Sequence, residues 1–158
     1  MIAMRQIEPG DAVALAEFYN GLSAASKRTF RPLGMTTAVA ACEAVICDNQ
    51  PEVGEKFDLV AMDGARVIGW SFLWGLRAEP VFGLGVADVY HGQGVGGALM
   101  DRVLAEAHTR DIKHVVLTVV QDNEKAWRMY ARRGFVRYGE FVEEADGLSY
   151  YRMALVRR

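Results

Sequence analysis

Between Val86 and Leu99 the chain reads Val-Ala-Asp-Val-Tyr-His-Gly-Gln-Gly-Val-Gly-Gly-Ala-Leu, an extended apolar stretch that passes through a glycine cluster into a helical pattern. Four glycines, Gly92, Gly94, Gly96 and Gly97, fall within six residues. Without a Cβ they let main-chain N–H groups at a helix N-terminus converge on an anion, where the helix macrodipole also favours negative charge. A pyrophosphate is the natural ligand. A plain strand-to-helix turn that packs small residues closely needs fewer glycines than this.

The same residues, Gly92-x-Gly94-x-x-Gly97, fit the dinucleotide-binding fingerprint literally, and Asp122 ends the next strand where a ribose-binding acid could stand. Against that reading, only one strand–helix–strand crossover is visible and hairpins surround it, whereas a dinucleotide fold opens a longer parallel series. A P-loop is excluded because no Gly-Lys-Ser/Thr follows the glycines.

Around this unit the pattern predicts a first strand over Met4–Ile7 and a helix over Ala12–Asn20 capped by Asp11. A short helix or turn follows over Ser23–Phe30, then a helix through Ala41, Val45 and Ile46 capped by Thr36 or Thr37. Phe57–Met62 and Arg66–Leu76 read as antiparallel strands joined by an Asp63-Gly64 turn. Val81–Ala87 is a third strand, whose Gly83 and Gly85 call for a bulge or a closely approaching ligand.

Val95, Leu99, Val103 and Ala107 mark an amphipathic helix over Gly94–Arg110, and His114–Val120 is a buried parallel strand. Asn123 caps a helix to Arg133, Gly134 stops it, and Phe135–Phe141 with Leu148–Val156 form a last hairpin around the acidic turn Glu143–Gly147. The sum is an α/β chain with a mixed, mostly antiparallel sheet, one central parallel pair and helices on both faces.

The 158 residues suit one domain spanning 1–158, and no composition shift marks a linker. With 18 basic and 20 acidic residues dispersed along the chain, no basic stripe points to nucleic acid. No apolar run reaches the roughly 18 residues of a membrane span, and Met1–Glu8 lacks the pattern of a secretory signal, so a cytoplasmic protein is expected. Cys42 and Cys47 point to different sides of one helix and read as free, buried thiols; no His/Cys pattern suggests a metal. The sequence leaves a homodimer open.

Two blocks resemble the GNAT superfamily of acyl-CoA N-acyltransferases. The phosphate-binding signature Arg/Gln-x-x-Gly-x-Gly/Ala is met by His91-Gly92-Gln93-Gly94-Val95-Gly96, with His91 departing from the usual Arg or Gln. The Asn-x-x-Ala block, with its Tyr and Gly-Phe, is met by Asn123, Ala126, Tyr130, Gly134 and Phe135. The resemblance implies a GNAT-like fold and transfer of an acetyl group from acetyl-CoA to a primary amine of a small molecule or peptide. Three alternatives stay open: a CoA-binding sensor without turnover, a dinucleotide-binding oxidoreductase module, and the same chemistry with succinyl- or a longer acyl-CoA as donor.

It also implies a cofactor site built from Leu84 and Val86, from His91, Gly92, Gln93, Gly94, Val95, Gly96 and Gly97, and from Asn123, Ala126 and Tyr130. Aminolysis of a thioester needs a neutral amine, a donor to the developing oxyanion and a proton for the thiolate. By the resemblance, a bulge at Leu84-Gly85-Val86 frees the Val86 N–H for the thioester oxygen, and Tyr130 is the acid toward sulfur. Tyr130 reads equally as a core aromatic.

No general base is identified among Glu79, His91, His114 or a water chain. The alternating Trp70, Phe72 and Trp74 read as core, or else as the wall of an acceptor pocket. Arg128, Arg132 and Arg133 form either a solvated helix face or a phosphate contact, and the acidic turn is either solvated or turned toward a cationic acceptor. The first helices with Phe30-Arg31-Pro32 form the other wall in relatives.

Overall fold

The chain begins with strand β1 (Ile2–Gln6), followed by helices α1 (Ala12–Asn20), α2 (Ala24–Thr29) and α3 (Val39–Asp48). Strands β2 (Lys56–Asp63), β3 (Arg66–Trp74) and β4 (Val81–Val86) come next, then α4 (Val95–Thr109), β5 (His114–Val120), α5 (Glu124–Arg132), β6 (Val136–Val142) and β7 (Ser149–Val156). These elements come from a computed structural model that describes residues 1–158. The seven strands form one sheet in the order β1-β2-β3-β4-β5-β7-β6. Every neighbouring pair is antiparallel except β4 and β5, which makes the sheet mixed with one central parallel pair, as the sequence predicts.

The two faces are covered by different helices. Leu15, Phe18 and Tyr19 of α1 and Cys42, Val45 and Ile46 of α3 pack with Val60, Met62, Trp70 and Phe72 on one face. Leu99, Met100 and Val103 of α4 and Tyr130 of α5 pack with Leu59, Ile68, Leu117 and Val119 on the other. The inward stripe of α4, namely Val95, Leu99, Val103 and Ala107, is the stripe that its sequence periodicity marks.

Several local expectations are corrected. Asp11 stands at the N-cap of α1 as expected but makes no side-chain cap bond; its carboxylate accepts two N–H bonds from Arg5 at 2.7 and 2.9 Å and one from the Glu8 amide at 2.7 Å. Neither Thr36 nor Thr37 caps α3, which Ala38 precedes, because the Thr37 backbone is engaged by the side-chain amide of Asn20 at the end of α1. The β2–β3 hairpin turns on Gly64-Ala65, since Asp63 already pairs with Arg66. Asn123 caps α5 with its carbonyl rather than its side chain, accepting from the Ala126 and Trp127 amides. Cys42 is buried as expected, whereas Cys47 is exposed.

The bulge expected at Leu84-Gly85-Val86 is absent, because the β3–β4 register runs unbroken from Gly69↔Val86 to Trp74↔Val81. Aromatic rings use the two glycines instead. A Cβ on Gly83 would stand 2.2 Å from the Phe72 ring, and one on Gly85 would stand 2.4 Å from the Phe30 ring. Both rings occupy space in which any side chain at these positions would collide.

Candidate functional site

β4 and β5 are paired at a single position, Val81↔Val116, and diverge beyond it. In an antiparallel ladder amides alternate sides, and the Ala87 N–H donates back to Ile68 O at 2.8 Å. The amides of Leu84 and Val86 therefore point away from β3 and into the fork. Divergence of the two parallel strands, not a bulge, directs the Val86 N–H toward a cleft.

The mouth of the fork is closed by the start of α4. Gly92 and Gly94 have φ of +76° and +81°, the left-handed region that side chains resist. With those two residues in place, none of the amides from Gly92 to Gly97 donates to a protein acceptor, and the first that does is Ala98, to Gly94 O at 3.1 Å. These donors sit at the positive end of a 15-residue helix, an arrangement that binds an anion.

The loop and the fork line one cleft of about 590 Å³. Leu84, Val86, His91, Gly92, Gly94, Val95, Gly96, Gly97, Asn123, Ala126 and Tyr130 all border it. Gln93 does not; its side-chain amide donates to Val89 O at 3.2 Å. His91 places Nε2 2.8 Å from Val86 O, and since a carbonyl only accepts, that contact selects the Nε2–H tautomer. The ring thereby holds the carbonyl of the same residue whose N–H faces the fork.

Tyr130 meets Phe82 edge-on at 5.9 Å and lies 6.2 Å from Phe135, so it is the core aromatic that its spacing suggests. It is also a cleft residue, because its hydroxyl has no protein partner and is not sealed from the cleft. Burial raises this phenol to about 12, which keeps it a proton donor.

Eight lining residues escaped the sequence reading, Leu22, Tyr90 and Val119 among them. Met129 lies on the α5 face shared by Ala126 and Tyr130, so helical spacing from those two could have found it. Thr118 is the only polar residue in the apolar run of β5 after His114, and that anomaly marked it. Lys125 carried no such signal, and neither did Ser26 and Thr29 of α2, which join Phe30 in the opposite wall.

The arginine run divides. Arg128 pairs with Glu124, Arg133 pairs with Asp101 at 2.7 Å while also bordering the cleft, and Arg132 borders the cleft without an ion pair. Other candidates are spent elsewhere. Asp122 forms a bidentate pair with Arg28 at 2.9 and 2.8 Å, which leaves it no ribose role. Glu79 contacts His114 at 3.3 Å outside the cleft.

In the acidic turn, Asp146 accepts from Arg31, from the Tyr150 hydroxyl at 2.5 Å and from the Leu148 amide at 2.8 Å, and so straps the β6–β7 turn to the end of α2. Trp70 and Phe72 are core, and Trp70 and Trp74 both donate indole N–H bonds to the buried Asp58. Asn49 supplies that carboxylate with a further bond at 2.8 Å, yet burial raises its pKa to about 6.

Residues 28–135 match the family model of the acetyltransferase (GNAT) family. An uncharacterized N-acetyltransferase of Mycobacterium tuberculosis is 36% identical over 81 residues, covering 49% of this chain and 51% of that protein. The mycothiol acetyltransferase of Jonesia denitrificans is 34% identical over 97 residues, 56% of this chain and 30% of its own length. The matches thus span about half or less of these curated relatives.

In fold, the chain resembles a GNAT-family acetyltransferase from Streptococcus pneumoniae, with a TM-score of 0.83 at 21% identity over 100% of both chains. It also resembles the spermidine N-acetyltransferase of Vibrio cholerae in complex with CoA and spermine, with a TM-score of 0.80 at 21% identity over 99% of this chain and 95% of that one.

Proposed function

We propose that this chain, which belongs to the acetyltransferase (GNAT) family, is a single-domain enzyme that transfers an acetyl group from acetyl-CoA to a primary amine by direct attack on the thioester. One observation carries the proposal: the run of main-chain donors from Gly92 to Gly97, all without protein acceptors, at the N-terminus of α4 beside a forked parallel pair. A pyrophosphate satisfies those donors. Lys125 and Arg132, both on the cleft wall, add charge for further phosphate.

In this reading the acyl arm enters the fork between Val86 and Asn123, and the Val86 N–H donates to the thioester oxygen as it becomes an oxyanion. The acceptor ammonium first gives a proton to water. The neutral nitrogen then attacks the carbonyl carbon, the new C–N bond forms, the C–S bond breaks, and the nitrogen releases its second proton to water. Tyr130 supplies a proton to the departing thiolate and is reprotonated from solvent. The burial that raises this phenol also raises a thiolate in the same enclosed space, so the two protonation equilibria move together.

Two measurements test this reading. Acetyl-CoA, but not NAD, should quench tryptophan fluorescence, through Trp127, which follows the cleft residue Ala126 on α5. Acetyl-CoA incubated with a panel of amines should release free thiol. Quenching without thiol release from any amine would leave a binding protein in place of an enzyme.

A further inference from the structure

The cleft passes through the sheet. Val95, Val119 and Tyr130, which border it on one side, belong to the apolar cluster under α4 and α5, whereas Phe30 on the other side belongs to the cluster under α1 and α3. The glycine loop therefore opens on one face of the fork, and α2 with its C-cap Phe30 closes the other. A donor held at the loop leaves the α2 face as the way in for the acceptor.

Two different forces hold α2 to the two halves of the sheet. Toward β1–β4 the hold is apolar packing: the Phe30 ring meets Trp70 edge-on at 5.6 Å and lies 6.2 Å from Tyr19 and 6.3 Å from Phe72. The Ser26 hydroxyl adds a bond at 2.9 Å to Asp88, just past β4. Toward β5, β7 and β6 the hold is ionic. Arg28 grips Asp122, just past β5, through two bonds, and Arg31 pairs with Asp146 in the β6–β7 turn. Between α2 and that turn lies a hollow of about 270 Å³ in place of a packed interface, bordered by Ala24 and Lys27 on the helix and by Asp146 and Leu148 on the turn.

Such a helix can let go of one side while keeping the other. Arg28 and Asp122 are both exposed and have no other side-chain partner, so parting them strands no buried charge. Asp146 keeps its bonds from Tyr150 and the Leu148 amide when Arg31 leaves. Parting the apolar side would instead bring the buried rings of Phe30 and Trp70 into water.

We propose that Arg28 and Arg31 are positioning residues for the acceptor: their two ion pairs latch α2 across the fork, opening to admit the amine and closing to hold it against the thioester. The latch rests on the transferase reading above.

The test compares wild type with Arg28→Met, Arg31→Met and the charge swap of Arg28→Asp with Asp122→Arg. With acetyl-CoA and the amine of the panel that releases thiol fastest, each single variant should raise KM for the amine about two- to fivefold, the worth of an exposed pair of good geometry, while acetyl-CoA affinity holds. The swap should bring KM back toward wild type, which a helix merely damaged by substitution would not do. Raising NaCl from about 0.05 to about 0.5 M should raise KM more in wild type than in Arg28→Met, because salt screens the exposed pair. Hydrogen exchange reads the latch without turnover. The Lys27 and Phe30 amides, which donate to Ser23 O and Ser26 O, should exchange about two- to fivefold faster in Arg28→Met while those of α1 and α4 hold.

An unchanged KM in both single variants, or a swap that recovers nothing, overturns the latch and leaves the transferase reading intact. So does a loss of acetyl-CoA affinity that matches the rise in KM, since the whole fork would then have loosened. If acetyl-CoA binds and no amine releases thiol, it is the transferase reading that fails, and unchanged α2 exchange in Arg28→Met overturns the latch separately.

Discussion

Replacing Gly85 with alanine tests how the cleft wall is built. The new methyl group would stand 2.4 Å from Phe30 Cδ2 and Cε2, against an ordinary contact that begins near 3.4 Å, so the ring must retreat by about 1 Å. It has little room to do so. Trp70 meets it edge-on at 5.6 Å, Tyr19 lies at 6.2 Å and Phe72 at 6.3 Å, and Tyr19 is itself fixed by donating to Gly34 O at 2.5 Å. Overpacking of this kind costs about 1–3 kcal/mol, and for a chain of this size each kcal/mol lowers Tm by roughly 2–4 °C.

Gly85→Ala should therefore lower Tm by about 2–12 °C in a thermal melt. Because Phe30 also lines the cleft, KM for the acceptor should rise while acetyl-CoA affinity holds. Phe30→Leu in the same chain should recover part of the loss by vacating the collision. Gly10→Ala, whose Cβ meets nothing within 4 Å, is the control. If Gly85→Ala melts with wild type, or if the two substitutions add with no coupling, the ring does not occupy the place of the missing side chain.

Further outcomes are expected. Tyr130→Phe should cut turnover by about 10²–10⁴ with acetyl-CoA affinity little changed, as measured by thiol release and fluorescence titration; unchanged turnover would remove the phenol from the chemistry. Gly94→Ala should cost about 1–2 kcal/mol of stability, because φ is +81° there, and should weaken acetyl-CoA binding in the same titration. Asp58 gives a pH dependence of definite sign. Its folded pKa of about 6 exceeds the unfolded 3.8, so the unfolded chain binds fewer protons through that window and this group's contribution is lost as pH rises from 4 to 6. Urea unfolding of wild type should lose about 2 kcal/mol relative to Asp58→Asn between pH 4 and 7, and a constant difference would count against the burial argument.

The legibility of the chain follows from physical locality. Glycines at 92 and 94 announce a backbone that other residues resist, and the stripe of α4 and the apolar run of β5 announce burial; each signal is contained in a few consecutive residues. Gly83 and Gly85 misled because the reason for them lies far off in sequence, in Phe72 and in Phe30. The site was legible where it is made of main chain and opaque where side chains from separate elements meet. Nothing in the neighbourhood of Arg28 reveals that Asp122 stands beside it, and nothing near Asp146 reveals Arg31. The cap expected at Thr37 failed for the same reason, since its backbone answers Asn20 at the end of α1, whereas the carboxylate of Asp11 turned back to Arg5 and Glu8 close by in sequence.

The fork has a mechanical side as well. A sheet joined through one residue pair at its centre is two stiff plates sharing a pivot, with β1 to β4 in one and β5, β7 and β6 in the other. Rotation about Val81 and Val116 leaves every ladder within each plate unchanged while the gap at Val86 widens or narrows. The Tyr130 ring leans on Phe82 from the other plate, close to that pivot, where such rotation displaces it least. The Tyr130 phenol would thus keep its place while the jaws around it adjust to the girth of what they hold.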